Sequence, residues 1–316
     1  MWPISTSDRA CRRFAAAGLA LLLAAFGGAG PAAAQQPLEA QSSAAVDALR
    51  ERARGGEAEA QYELGMALMA RNDDRSLEEA RSWMREAMRA GHVEAQNGLA
   101  GLLLKGAGGP REEAEGRRLL QDAARRGSVG ANVTLSMLHT DGAGGFERDL
   151  RRAFQHMQAA AAVEKPKNGW VLWRLGMVHL QGSGTPRNSQ EAYRWVVRAA
   201  DKGSIDGMIS RAVMLATGDG VAENKAEARS WYERAARSGE KGWAHALRSL
   251  GGMHVIGEGG PVDLPRGFGY LLVAHTAGDE LAGKMIENHR ARLTLDVERQ
   301  AIAVADQWGP VRPESD

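Results

Sequence analysis

The feature that most constrains this chain is a two-helix pattern repeated along its length. A phrase of the form A-x-x-W-Y-x-x-A-A-x-x-G, clearest from Ala228 to Gly239, recurs with starts at Ala80, Gly116, Ala153, Ala192, Ala228 and Gly267. The intervals are 36, 37, 39, 36 and 39 residues. A second phrase, A-x-x-x-L-G-x-x-Y-x-x-G, precedes each copy, starting at Ala60, Ala95, Ala131, Val171, Gly207 and Ala246. A fixed period of this size marks an array, because a single short unit cannot bury its own apolar face and must stack on its neighbours.

Each phrase reads as a helix. Offsets 0, 4 and 8 of the first phrase fall on one helical face. Offset 5 carries a small residue (Gly65, Ala100, Ser136, Gly176, Ala212, Gly251), which lets another helix come close. The closing glycines Gly106, Gly142, Gly182, Gly218 and Gly257 suit a left-handed C-cap, which glycine adopts at little cost. Glycine-rich turns such as Lys105–Gly109, Gly182–Gly184 and Gly218–Gly220 follow. Each unit is therefore helix, glycine turn, helix. Two units depart: Arg71–Asp74 replaces the glycines in the first, and Val163–Pro166 replaces the closing glycine of the third and predicts a bend or insertion.

The 39 glycines are thus periodic rather than a mark of disorder. A net charge of +1 offers no basic field for nucleic acid. Residues 1–34 read as a signal peptide: Arg9, Arg12 and Arg13, an apolar run from Phe14 to Phe26 too short to span a bilayer, then Ala32-Ala33-Ala34 as cleavage site. The residues around Arg12-Arg13 fit the twin-arginine pattern poorly, which favours general secretion. Cleavage removes three Arg and one Asp, so the net charge goes from +1 to −1, and it removes the only cysteine, Cys11. A periplasmic or secreted product then has no disulfide and depends on packing.

On these phrases, best preserved over 174–203 and 211–239, the chain resembles the Sel1-like repeats, relatives of the tetratricopeptide repeat. The resemblance implies an all-α, right-handed α/α solenoid of about six helix–turn–helix repeats with capping helices. The expected layout is a signal peptide over 1–34, an N-terminal capping helix within 35–55, the solenoid over 56–280, C-terminal capping helices over 281–309 and a tail over 310–316. It further implies a scaffold or adaptor rather than an enzyme.

The residues themselves point away from catalysis. No glycine turn follows a strand or carries the Lys-Ser/Thr of a phosphate loop, and no G-x-S-x-G or H-E-x-x-H is present. No cofactor or metal is expected. His139, His179 and His254 all fall at offset 8. Equivalent positions in successive units lie at least one helix-packing distance, about 10 Å, apart, so His139 and His179 are too far apart to share an ion. They read as packed core groups. Asn132-Val133-Thr134 matches a glycosylation sequon of a kind common by chance. Trp83, Trp195 and Trp231 occupy the repeat's bulky position and read as core.

Offsets −1, 2, 6 and 9 of the first helices lie on the face opposite the packing face at 100° per residue, and in the related tetratricopeptide repeats that face lines a concave groove. Here it carries Tyr62, Met66, Asn97, Met137, Trp170, Trp173, Met177, Ile209 and Arg248 as candidate partner-binding residues. Around them lie Glu59, Met69, Glu94, Leu104, Val133, Thr140, Leu180, Asp206, Val213, His245 and Val255. Trp and Met are favoured at recognition surfaces, so the expected ligand is a protein or peptide. The alternative is a binder or modifier of cell-wall peptide or saccharide. Trp170 and Trp173 leave two readings open, groove anchors or filler for the joint after the third unit.

Overall fold

The computed structural model describes residues 43–163, 168–239 and 242–308. The proposed signal peptide, the chain after Trp308 and the departure at Glu164–Pro166 lie outside them. The described residues form fifteen α-helices and no strand. They divide into two compact units, one of residues up to Val171 with Ser183–Thr185, the other of Leu172–Gly182 with everything from Pro186.

The first unit contains α1 (Ser43–Arg54), α2 (Ala58–Arg71), α3 (Asp74–Arg89), α4 (Val93–Lys105), α5 (Glu113–Arg125), α6 (Val129–Asp141), α7 (Leu150–Ala162) and the start of α8 (Gly169–Gln181). The helices pair as α2 on α3, α4 on α5 and α6 on α7, and each pair packs on the next through α3 on α4 and α5 on α6. The second unit holds the rest of α8, then α9 (Ser189–Asp201), α10 (Ile205–Thr217), α11 (Lys225–Ala236), α12 (Trp243–Ile256), α13 (Leu264–Thr276), α14 (Glu280–Asn288) and α15 (Leu295–Asp306). Here α10 pairs with α11, α12 with α13, and α15 closes over α13. The helix expected from Leu281 to Arg292 stops at Asn288 and ends in a separate 3₁₀ turn over Arg290–Arg292, a tightening frequent where a helix ends.

The small residues work as the spacing predicts. Met84 of α3 is fully buried between two glycines, and a Cβ at Gly65 on α2 or Gly98 on α4 would lie 2.8 or 2.9 Å from its side chain. Side chains at the second-helix N-caps add a feature the phrases did not reveal. Asp149, Asn188, Asn224 and Asp263 each accept a backbone N–H three residues on, four positions before the repeat's small residue. In the first unit Asn72 takes the place of the missing glycine at φ 56°, the non-glycine type best suited to that region.

Trp83, Trp195 and Trp231 are not core as expected; all three are half-buried. The following residue is the core group instead: Met84, Val196 and Tyr232. One residue is a 100° rotation, enough to leave the indoles at the edge. There two of them hydrogen-bond on their own helix, Trp83 Nε1 to Glu79 and Trp231 Nε1 to Glu227, both at 3.2 Å. Arg guanidiniums cover Trp195 at 4.4 Å (Arg198) and Trp231 at 4.1 Å (Arg211).

The turn glycines fall into two classes. At Gly203 φ is +83°, and a Cβ would meet nothing within 4 Å. At Gly220 φ is +77°, and a Cβ would lie 2.1 Å from the Ser189 carbonyl oxygen at the start of α9. Gly203→Ala is expected to cost about 1–3 kcal/mol through backbone strain alone. Gly220→Ala adds overpacking of a further ~1–3 kcal/mol. Urea titrations followed by circular dichroism should show the larger loss for Gly220→Ala; equal losses would contradict the close docking of this turn.

Candidate protein-interaction surface

The expected binding face is present only in part. In the first unit Tyr62, Met66 and Met137 are half-buried and available from solvent, and Glu59 and Thr140 are exposed. Asn97 is fully buried, and Met69, Leu104 and Val133 are buried with it. The reason is lateral packing: α4 and α6 also touch each other, so a flank of the face opposite the hairpin is covered. Gly130 permits that approach, since a Cβ there would lie 2.6 Å from Asn97 Nδ2. Thr134 Oγ1 donates to Asn97 Oδ1 at 3.4 Å and Ser128 Oγ donates to Glu94 at 2.8 Å, so these polar groups join first helices to one another. A wheel drawn on one helix cannot show that.

Tyr62 is held in an acidic setting. Its ring stacks on His92 at 4.4 Å between centroids. His92 Nε2 lies 3.0 Å from Glu59, while its Nδ1 accepts the Ala95 N–H at 3.1 Å and caps α4. Burial, then the charges of Glu94 and Glu59, raise the Tyr62 hydroxyl well above its ordinary pKa, so it remains a neutral donor. The phrases did not mark His92; its place just before α4, where Ser128 and Ser204 cap α6 and α10, was the available signal.

The unit boundary passes through α8 between Trp170 and Trp173, both half-buried. Trp173 is anchored: its Nε1 donates to Ser210 Oγ on α10 at 2.9 Å, and it packs with Met177 against Val196 and Met214. Ile209 is nearly closed from solvent, Val255 is buried, and Val213 and His245 are exposed. Arg248 reaches across to Asp279, with Nη1 2.6 Å from Oδ2 and 2.8 Å from Oδ1. Its guanidinium is therefore engaged within the unit. The Asp206 carboxyl is exposed, yet protein crowds it enough that desolvation raises its pKa, with Arg174 opposing.

His139 and His179 are buried and His254 is half-buried, as packed groups at offset 8 would be. His139 contacts the Glu147 carbonyl at 3.1 Å, and its ring lies parallel to His156 at 5.8 Å. His156 in turn hydrogen-bonds Asn132 at 3.0 Å, so the sequon asparagine is a buried helix side chain. No group of three metal-ligating side chains occurs among the described residues.

Burial is the leading cause lowering the pKa of His156, His179 and His254; His139 adds to it at His156, and Arg229 at His254. Folded values below the unfolded value of about 6.5 mean that the fold prefers these rings neutral. Their contribution is present above that value and is lost as pH falls through the folded values. The melting temperature should therefore drop between about pH 7.5 and about pH 5. His156→Gln should flatten that slope; an unchanged slope would show that His156 does not couple to folding.

Six segments match the family described as Sel1 repeat: residues 58–92, 93–128, 131–162, 171–204, 205–240 and 244–279. No curated sequence matches the chain. Among solved structures, one similar fold is a protective antigen of uropathogenic Escherichia coli strains displaying an SLR fold. It aligns at TM-score 0.65 and 23% identity over 84% of this chain and 56% of that one, so the chain spans little more than half of the antigen's length. A Sel1 repeat protein from Oxalobacter formigenes aligns at TM-score 0.59 and 21% identity over 81% of this chain and 98% of that one. At such identities the likeness shows the fold alone.

Proposed function

Because the chain belongs to the Sel1 repeat family, whose members are generally protein-interaction scaffolds, we propose that it is an exported scaffold that binds a protein or peptide partner through the accessible face of its first helices. The observation that carries this reading is the kind of side chain left at the surface there. Tyr62, Met66 and Met137 in one unit, and Trp173 and Met177 in the other, are large, partly apolar and only half-covered. Trp and Tyr supply rigid contact area, and Met adapts to irregular partners. Trp173 is a groove anchor in this reading, since Ser210 fixes its orientation while leaving part of the ring open.

Export rests on residues 1–34, with their arginines, apolar run and alanine cleavage sequence. Among the described residues no helix is long and apolar enough to cross a membrane. A periplasmic or secreted scaffold of this type would serve in assembling an envelope complex or in restraining the outer domain of a membrane sensor. In either role the recognised surface is a folded or extended polypeptide.

Immobilised full-length protein, incubated with crosslinked envelope extract of its own source, tests the proposal. A Trp173→Ser chain and a Met66→Glu/Met137→Glu chain run alongside, each checked for unchanged helicity. A protein retained by wild type and reduced roughly 10-fold or more on either variant, the level of a binding hot spot, supports the reading. Equal retention on all three chains would remove these faces from the binding surface.

A further inference from the structure

The second unit contains a cleft that lies apart from the first-helix face. It opens between α11, α13 and the end of α15, is floored by α12, and has a volume of about 1240 Å³. Small-molecule sites usually occupy roughly 300–1,000 Å³, so this space suits a length of chain better than a compact metabolite.

Its lining is mainly basic. Arg229, Arg237 and Arg266 line it with one carboxylate, Glu233. Asp263 and Glu258 lie close enough beyond the lining to act on Arg229, and Glu258 is paired with Lys225. Glu233 is already taken by Arg237, at 2.8 Å from Nη2 and 3.1 Å from Nε. Arg266 has only Asp263, 3.5 Å away on its own turn, and is largely exposed. Arg229 is fixed by neutral acceptors, the Met253 carbonyl at 2.7 Å and the Glu258 carbonyl at 2.5 Å. Among the described residues it makes no ion pair. The cleft therefore retains a modest excess of positive charge, on Arg229, which is fixed by carbonyls, and on Arg237 and Arg266, which stay largely exposed to a ligand.

Its other wall is aromatic. Tyr270 and Trp308 meet edge to face at 5.8 Å, and Arg237 lies 5.4 Å above the Trp308 ring. His254 also lines the cleft, with its ring edge-on to Tyr270 and a buried Nδ1 that has no hydrogen-bond partner. Unsatisfied buried polar atoms are uncommon in folded proteins and call for an explanation; burial and then Arg229 lower the pKa of this imidazole, with Asp263 opposing.

We propose that this cleft is a second binding site, for an acidic peptide segment with an aromatic or large apolar residue beside its carboxylates. The carboxylates pair with the guanidiniums of Arg266, Arg237 and Arg229, for which the fork of N–H donors is well matched. The apolar side chain lies on Tyr270 and Trp308. None of its lining residues is among those named on the first-helix face, so the two sites are distinct.

The test is fluorescence anisotropy of the full-length protein with labelled hexapeptides alternating Asp or Glu with Phe or Leu. Matched peptides with Lys in place of the acids serve as the comparison. Saturable binding of acidic peptides, with Lys peptides at least about 10-fold weaker, is expected. The variants Arg266→Glu and Trp308→Ala change partly exposed side chains, and circular dichroism checks their folding. Each should weaken acidic-peptide binding by roughly 10-fold or more, while Trp173→Ser leaves it unchanged. No binding across the set up to about 1 mM, equal binding of Lys peptides, or binding unaffected by Arg266→Glu would overturn the proposal. Loss with Trp173→Ser but not with Arg266→Glu would also overturn it, and would assign the peptides to the first-helix face instead.

Discussion

The arrangement depends on one close contact repeated along the chain. In four turns a glycine at positive φ sits directly on the backbone that starts the preceding repeat's second helix. A Cβ would lie 2.3 Å from Leu77 at Gly108, 1.9 Å from Leu150 at Gly184, 2.1 Å from Ser189 at Gly220 and 2.3 Å from Lys225 at Gly259. No other residue meets both demands, a left-handed backbone and no side-chain volume. The contact sets the spacing of one hairpin on the next, and the apolar faces can interlock only at that spacing. Met84, held between glycines of two successive first helices, shows the same rule applied to the core.

Around that contact, arginines secure the turns. Arg81 donates to the Pro110 carbonyl at 3.0 Å and pairs with Glu112, and Arg117 donates to the Gly145 carbonyl at 3.1 Å. Arg229 repeats the arrangement with the Met253 and Glu258 carbonyls. Each reaches from a second helix to the turn of the following repeat. A guanidinium suits the task because it offers several donors in a fixed plane to the carbonyls at and just before the turn. Such contacts join neighbours only, as expected of an array whose stability is a sum of units and interfaces. With no cysteine in the described residues, packing and these hydrogen bonds are what hold the units together there.

The same packing decides which residues a partner could touch. Each first helix has a face turned from its own hairpin, but in the first unit the flanks of these helices also meet, α2 on α4 and α4 on α6. Asn97 and Val133 are thereby drawn inside, while Met66 and Met137, about one turn further along their helices, remain at the surface. Arg248 is engaged differently, by an ion pair to Asp279 at the start of α14. What stays accessible is a mix of aromatic, methionine and acidic side chains, suited to polypeptide recognition.

The sequence alone determined the helical class, the repeat length, the positions of the turns and the capping glycines. These follow from local chemistry: a 3.6-residue period, the conformational freedom of glycine and its recurrence at a fixed interval. It also marked the packed histidines at offset 8, because that offset shares a face with the core positions. The tertiary structure decided the rest. That Trp83, Trp195 and Trp231 sit at the edge while the next residue is core depends on which side of each second helix meets its neighbours. That Asn97 is enclosed and Tyr62 is not depends on how closely parallel first helices approach. The cleft of Arg229, Arg237 and Arg266 brings together residues of α11, α12, α13 and the end of α15. Periodicity reports which residues share a face; only packing determines what that face meets.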